Sequence, residues 1–457
     1  MTGLWKWLVS LNDSQLTAGF QRLCGIEVFN HSDRNKSMSN GGIHQEHPVC
    51  DGNGNVPTLN GSASGHAEEA SLKPRAKSKY TNGYIVHKSA NGSVQTLQNG
   101  ATDLKQNYGP NGNDESSETE KQQYKINNKI LFYLFSFGAA LGNEIFYIVF
   151  FSFGIWNFDG NVFRKVTMIW CAIMYLGQAA KDIICWPRPR CPPVVRLEER
   201  YELEYGMPST HAMVGVAIPF GVLCFSYGRF EFDLTLGILV AVFWSALVSC
   251  SRLYLGMHSV LDVLVGIVSA ACLMLLFVPL VDVLDTLLVA HPLSYLLLNF
   301  VCLILCLIYP RLEQWSTARG DTSQVLAVFS GIYQGTWFLA KTCTPEMATQ
   351  AQMSAPAGWS ALWAGVARQV LGTAVMVVVF GIVKTGVLHT MAKVLRLDPK
   401  DPKTKQHLGV EFPYKYLSCL VLAFLASCGM PMCFQMLGLH RGNFLFEVLD
   451  HAHYFGL

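Results

Sequence analysis

The sequence predicts an all-α protein, a polytopic bundle of about nine transmembrane helices behind a disordered polar N-terminal tail. The 457-residue chain is 51% hydrophobic and only 14% charged, far more apolar than a soluble domain of its size requires. Its apolar residues collect into stretches near the ~20 residues that a helix needs to cross a bilayer. In lipid only helices, or a closed barrel of quite different pattern, satisfy every backbone group.

A formal charge of +2 gives no reason to expect a nucleic-acid partner. Most of the 14 cysteines lie inside apolar segments and no pair of CxxC units has zinc spacing, so they read as small core residues. Cys185 and Cys191 are the pair near the polar clusters worth testing for a bond.

Taken from the N terminus, residues 1–25 place Leu4, Leu8, Leu16, Phe20 and Leu23 at roughly helical spacing before a Gly25 stop. This amphipathic helix lies either on the membrane interface or on the protein's own loops. The apolar run Leu4–Val9 is too short for a signal-peptide core, which leaves the first spanning helix as the targeting signal. Residues 26–124 are rich in Asn, Gly, Ser, Gln and His and bury too little surface to offset ordering entropy. Sequons at Asn30, Asn35, Asn60 and Asn91, with another at Asn12, matter only on a luminal side. The membrane domain, 125–440, carries apolar segments near 129–153, 166–184, 209–228, 233–250, 260–281, 293–309, 323–340, 361–384 and 415–437. A short C-terminal tail, 441–457, follows, and no internal repeat is evident.

Three polar clusters interrupt the apolar sequence: Lys181 to Arg188-Pro189, Pro208-Ser209-Thr210-His211, and Ser251-Arg252 through His258 to Asp262. Two spanning segments lie between the second and third clusters, so a down-and-up pair returns both to one membrane face. His258 and Asp262 are four apart at a helix start and should share a face. A carboxylate accepting from one ring nitrogen fixes the tautomer and leaves the other as a lone-pair nucleophile. An isolated His-Asp pair caps helices as readily, and an isolated Arg252 at a span end snorkels to headgroups as readily as it binds substrate. Ser209 and Thr210 open a helix whose N-terminal N–H groups suit an anion, with His211 placed to give and take a proton. Lys181 and Arg188, the latter between two prolines, add positive charge for the oxygens of a transferring phosphoryl group.

The order of these clusters resembles the type 2 phosphatidic acid phosphatase and haloperoxidase superfamily, with its Lys-x6-Arg-Pro, Pro-Ser-Gly-His and Ser-Arg-x5-His-x3-Asp pattern. Thr210 replaces the usual glycine, which favours an ordinary helical entry there. Tyr205-Gly-Met-Pro-Ser-Thr-His-Ala-Met213 is similar to the sphingosine-1-phosphate phosphatase branch. So are Phe20–Gly25, Leu141–Tyr147, Met174–Gln178, Pro192–Val195 and Trp315–Thr322.

The resemblance implies hydrolysis of sphingosine 1-phosphate and related sphingoid-base phosphates in the endoplasmic reticulum membrane, with no cofactor or metal. It assigns His258 as nucleophile, His211 as general acid and base, and Asp262 as the group orienting His258. Lys181, Arg188, Ser209, Thr210 and Arg252 would hold the phosphate. Glu144, next to Asn143 inside the first span, is a candidate for the substrate's ammonium, as is Asp182; Glu204 is a rival, and an interhelical hydrogen bond the alternative for Glu144. A broad-specificity lipid phosphate phosphatase would share every one of these residues, and a lipid transporter or binding protein would use the charges differently. The resemblance implies a luminal site, whereas the positive-inside rule, applied to Lys393, Arg396, Lys400, Lys403 and Lys405, points to the cytosol.

Overall fold

The computed structural model describes residues 6–7, 9–29, 95–96, 123–198, 201, 203–312 and 315–449. The chain divides into two units, residues 1–26 with 126–457, and residues 27–125. The second unit and its borders carry three short strands, β1 (Ile26–Phe29), β2 (Gln95–Thr96) and β3 (Gln123–Ile126), in the order β1-β3-β2. Most of the expected disordered tail, with its sequons from Asn30 to Asn91, lies outside the described residues.

The first unit is built of helices. Helix α1 (Ser14–Leu23) is capped by Asp13, whose carboxylate accepts from the Gln15 N–H. Thr17, Ala18 and Gln21 face inward, while Leu16 and Leu23 are exposed; Leu4 and Leu8 lie outside the described residues. The first apolar segment forms α2 (Lys129–Ala140) and α3 (Glu144–Phe153), the latter continued by a π turn, Gly154–Phe158. The two halves bend by 68° at Leu141-Gly142-Asn143, so the single span expected over 129–153 is broken at the residue before Glu144.

Helix α4 (Gly160–Ile184) ends where Cys185 turns left-handed ahead of Pro187. Helices α5 (Thr210–Ser226) and α6 (Leu234–Tyr254) run antiparallel, with Gly215 against Val248 and Gly237 against Leu223. Helix α7 (Val260–Ala290) begins with a capping box between Ser259 and Asp262. Then follow α8 (Ser294–Ile308), α9 (Thr317–Thr342), α10 (Pro345–Ser354) and α11 (Trp359–Val394). The chain closes with α12 (Pro402–Gln406), α13 (Leu408–Phe424) continued through a π turn into α14 (Met430–Met436), and α15 (Phe444–Leu449).

A helix stands at each of the nine predicted apolar segments, but the nine are not equivalent. Among the described residues four helical stretches are long and apolar enough to cross a membrane, α6, α7, α11 and α13–α14, or five with the bent α2–α3 pair. Helices α5 and α8 are apolar but shorter. Helices α4 and α9 have the length, at 25 and 26 residues, but carry charges that the core uses.

At one end of the bundle Arg164 of α4 pairs with Asp285 of α7 at 2.8 Å, both side chains at most 2% exposed. The Tyr333 hydroxyl of α9 donates to the same carboxylate at 2.8 Å, and Arg164 also donates to the Glu447 carbonyl of α15 at 3.0 Å. Four helices are thereby pinned at that end, and removing one partner from such a buried pair costs about 3–5 kcal/mol. The polar clusters gather at the other end.

Candidate active site

Helix α5 packs against α4, α6 and α7, and this packing sets the three clusters side by side. Gly266 of α7 lets α7 approach the start of α5, where a Cβ would stand 2.7 Å from the Ser209 carbonyl. The Ser209 N–H in turn donates to the Asp262 carbonyl at 3.1 Å. Ser209 is the N-cap of α5, and Thr210 and His211 are its first helical residues, so the threonine keeps the ordinary helical entry. Their N–H groups lie in the first turn, where the helix offers no carbonyl partner.

Lys181, 1% exposed near the end of α4, donates to Glu204 Oε2 at 2.9 Å and lies 3.2 Å from the Thr210 hydroxyl. Arg188 donates through Nε to the Glu204 carbonyl at 2.7 Å and through Nη1 to the Met257 carbonyl at 2.6 Å. Its Nη1 also lies 3.3 Å from His258 Nε2, and its Nη2 has no hydrogen-bond partner among the described residues. Arg252, fully buried, pairs with Glu198 at 2.9 Å.

The His258 ring is buried, with Nδ1 3.8 Å from Asp262 Oδ2. His258 does not share the face of a helix with Asp262 as the spacing suggested. It precedes the N-cap Ser259, while Asp262 is the third helical residue and accepts the Ser259 N–H at 2.7 Å. Tight-turn chemistry wins over helical spacing here: Gly256, at φ +69°, turns the chain where a Cβ would meet the Val195 carbonyl at 2.2 Å. The pair still faces one another, and neither His258 Nδ1 nor Asp262 Oδ1 has a hydrogen bond among the described residues.

The electrostatics follow from burial. Desolvation, then the charges of Arg188, Arg252 and Lys181, hold the His258 imidazole well below its usual pKa, which favours the unprotonated ring. Burial brings the Arg188 guanidinium down to about 10. Burial alone would raise Glu204, but Lys181 and Arg188 outweigh it and hold this group below the usual carboxylate range.

The structure therefore brings together Lys181, Arg188, Ser209, Thr210, His211, Arg252, His258 and Asp262. Glu144 begins α3, and its charge is felt by Asp321, Tyr414 and Cys419 at the α9–α13 pair. Asp182 accepts the Tyr309 hydroxyl at 2.9 Å, because one residue beyond Lys181 is about 100° around the helix. The Ser251 hydroxyl turns back to the Val248 carbonyl at 2.6 Å, and no disulfide joins Cys185 to Cys191.

Three contributors have no signal in the catalytic clusters. Gln21 of α1 clamps the loop after α4 to the end of α6, donating to the Val195 and Tyr254 carbonyls at 2.6 and 2.9 Å and accepting the Val195 N–H at 2.9 Å. Gly142, at the bend between α2 and α3, leaves room for His211, whose Cδ2 would be 2.3 Å from a Cβ there. The Thr317 hydroxyl, opening α9, donates to Glu204 Oε1 at 2.6 Å. All three fall in stretches the sequence comparison had marked, without a role.

A family model described as the PAP2 superfamily matches residues 164–284. Sphingosine-1-phosphate phosphatase 1 of Rattus norvegicus is 35% identical over 445 residues, covering 94% of this chain and 97% of that protein. Sphingosine-1-phosphate phosphatase 2 of Homo sapiens is 34% identical over 436 residues, covering 94% of this chain and 99% of that protein. A dihydrosphingosine 1-phosphate phosphatase of Schizosaccharomyces pombe is 28% identical over 225 residues, 48% of this chain and 55% of that protein. No solved structure matches the chain.

Proposed function

The chain belongs to the sphingosine-1-phosphate phosphatases of the PAP2 superfamily, and from that premise we propose that it hydrolyses sphingoid-base phosphates in the membrane through a phosphohistidine on His258. It is a multi-pass membrane phosphoric monoester hydrolase of that substrate class. The mechanism rests on one observation: a buried His258 ring with Nε2 3.3 Å from Arg188 and Nδ1 3.8 Å from the Asp262 carboxylate.

His258 Nε2 attacks phosphorus, and the P–N bond forms as the bond to the lipid oxygen breaks. His211, as imidazolium, gives its proton to the departing alkoxide. The neutral His211 then takes a proton from water, whose oxygen attacks phosphorus and frees His258 and inorganic phosphate. Asp262 holds the Nδ1 proton and offsets the positive charge that develops on the ring. Lys181, Arg188, Arg252 and the first turn of α5, with Ser209 and Thr210, meet the equatorial oxygens. These side chains supply the charge that Mg²⁺ brings to many phosphoryl transfers, so the reaction as written uses no metal.

The test is phosphate release from sphingosine 1-phosphate and from phosphatidic acid, in detergent with EDTA, by wild type and His258→Ala. Wild type is expected to cleave the sphingoid lipid preferentially and His258→Ala to release none. Equal cleavage of both lipids by wild type would make it a general lipid phosphate phosphatase, and loss of wild-type turnover in EDTA would sink the metal-free mechanism.

The endoplasmic reticulum membrane, with the site facing the lumen, is the location that the family resemblance supports. The basic loop at 393–405 shares the site's end of the bundle, since Glu411 and Lys415 at the start of α13 reach Trp315 and Asp321 at the start of α9. Helix α1 docks at the same end. A tag at the N terminus, followed by protease treatment of sealed microsomes, therefore reports the side of the site. Protection is expected, and cleavage would place the site in the cytosol, as the positive-inside rule has it.

A further inference from the structure

Glu204 lies in the loop between α4 and α5 and belongs to none of the three catalytic clusters. It is 3% exposed, and both its carboxylate oxygens are held inside the cation ring, Oε2 by Lys181 at 2.9 Å and Oε1 by the Thr317 hydroxyl at 2.6 Å. A carboxylate in a cradle for a phosphate dianion is at first sight a liability, because like charges at close range repel. In the resting site it is the counter-ion that keeps Lys181 charged while buried. Once a phosphoryl group takes Lys181, however, Glu204 is left without its cation beside a second anion.

A sphingoid-base phosphate brings a replacement. Its ammonium sits on the carbon next to the esterified one, separated from phosphorus only by the ester oxygen and two carbons. We propose that Glu204 is the receptor for this ammonium, and that substrate enters by exchange of partners: phosphate takes Lys181 while the lipid's ammonium takes the place of Lys181 on Glu204. This deepens the reading of the site as a sphingoid-base phosphatase and rests on it. Thr317 keeps the carboxylate in place during the exchange, which gives the Trp315–Thr322 stretch a role at the site.

Two other carboxylates nearby are not hydrogen-bonded to a cradle cation. Asp182 accepts the Tyr309 hydroxyl through Oδ2 at 2.9 Å, its Oδ1 having no hydrogen-bond partner among the described residues, and Asp321 holds Lys415 at 3.1 Å. Glu198 also pairs with a cradle cation, Arg252, but its side chain is 13% exposed against 3% for Glu204. The exchange selects by exclusion as well as attraction. An N-acylated headgroup, or one that never had an amine, leaves Glu204 uncompensated beside the phosphate.

The experiment compares kcat/KM on sphingosine 1-phosphate and on its N-acetylated counterpart, using purified full-length wild type, Glu204→Gln, Thr317→Val and Glu198→Gln. Wild type is expected to prefer the free amine, and Glu204→Gln to lower that preference at least tenfold, chiefly through KM for the amine substrate. Thr317→Val should lower it severalfold, and Glu198→Gln should keep it. A preference in Glu204→Gln within twofold of wild type, or equal loss on both lipids, would make the residue a mere brace and overturn the proposal. Loss of the preference in Glu198→Gln instead would move the receptor to that residue. If Glu204→Gln does not accumulate folded, an unchanged preference in Thr317→Val overturns the proposal alone. Wild type that cleaves neither lipid brings down the underlying functional reading, and the proposal with it.

Discussion

At His258 three cations and a second imidazole act on one buried ring, and the sign of their effect is fixed. Desolvation comes first, and Arg188, Arg252 and Lys181 then add repulsion against a ring proton, so the pKa lies well below the ordinary ~6.5. In the proposed mechanism the unprotonated ring is the nucleophile, so the acid limb of kcat/KM should fall only as pH drops through that lowered value. Arg188→Gln removes the strongest of the charge effects and should move the limb to higher pH, whatever it does to the absolute rate. A pH profile of phosphate release by the two proteins checks this, and the substrate's own titration near ~6 cancels in the comparison. An unmoved limb would mean that the guanidinium does not govern the ring. Of the residues gathered at the candidate site the sequence displayed nearly all, because phosphoryl chemistry needs particular side chains at fixed spacings around a turn. It showed Glu204 only as a rival for the ammonium, and it put His258 on the wrong side of the helix boundary, because Gly256 and the Ser259 cap end the turn before the helix begins.

Among the elements, the bend between α2 and α3 does what a straight span could not. It carries Gly142 under His211, with no space for a Cβ. Gly142→Ala should push the imidazole out of line; a displacement near 1 Å costs on the order of 10²-fold in rate. The expected result is a fall in kcat of that size with KM and thermal stability little changed, measured on sphingosine 1-phosphate. Unaltered kcat would show that the ring has room to give. The hydropathy pattern predicted one unbroken span here because Leu141-Gly-Asn-Glu is short against its apolar flanks. Helix α1 is a comparable case. Its spacing showed an amphipathic helix, but which polar residues would be buried depended on Gln21 finding the Val195 and Tyr254 backbone, more than 170 residues away.

Over the whole molecule the site is held at one end of the bundle while a buried ion-pair network pins the other. Asp285→Asn leaves Arg164 without its charge partner, and such a loss costs about 3–5 kcal/mol. A marked drop in thermal unfolding temperature in detergent is expected, with the acid limb of the pH profile unchanged because the network lies far from His258. A shift of that limb would mean that the two ends are coupled. By itself the sequence determined that this is an all-α membrane protein with a phosphate-handling site, and to which family it belongs. Those properties follow from composition, from segment length against bilayer thickness, and from motifs whose chemistry is local to a turn or a helix start. Only the tertiary structure decided which charges face each other. Lys181 meets Glu204, Asp182 turns to Tyr309, and Arg164 finds Asp285 121 residues away. Partner choice between buried charges depends on how helices distant in the chain are rotated and pressed together, and that packing has no local signature in the sequence.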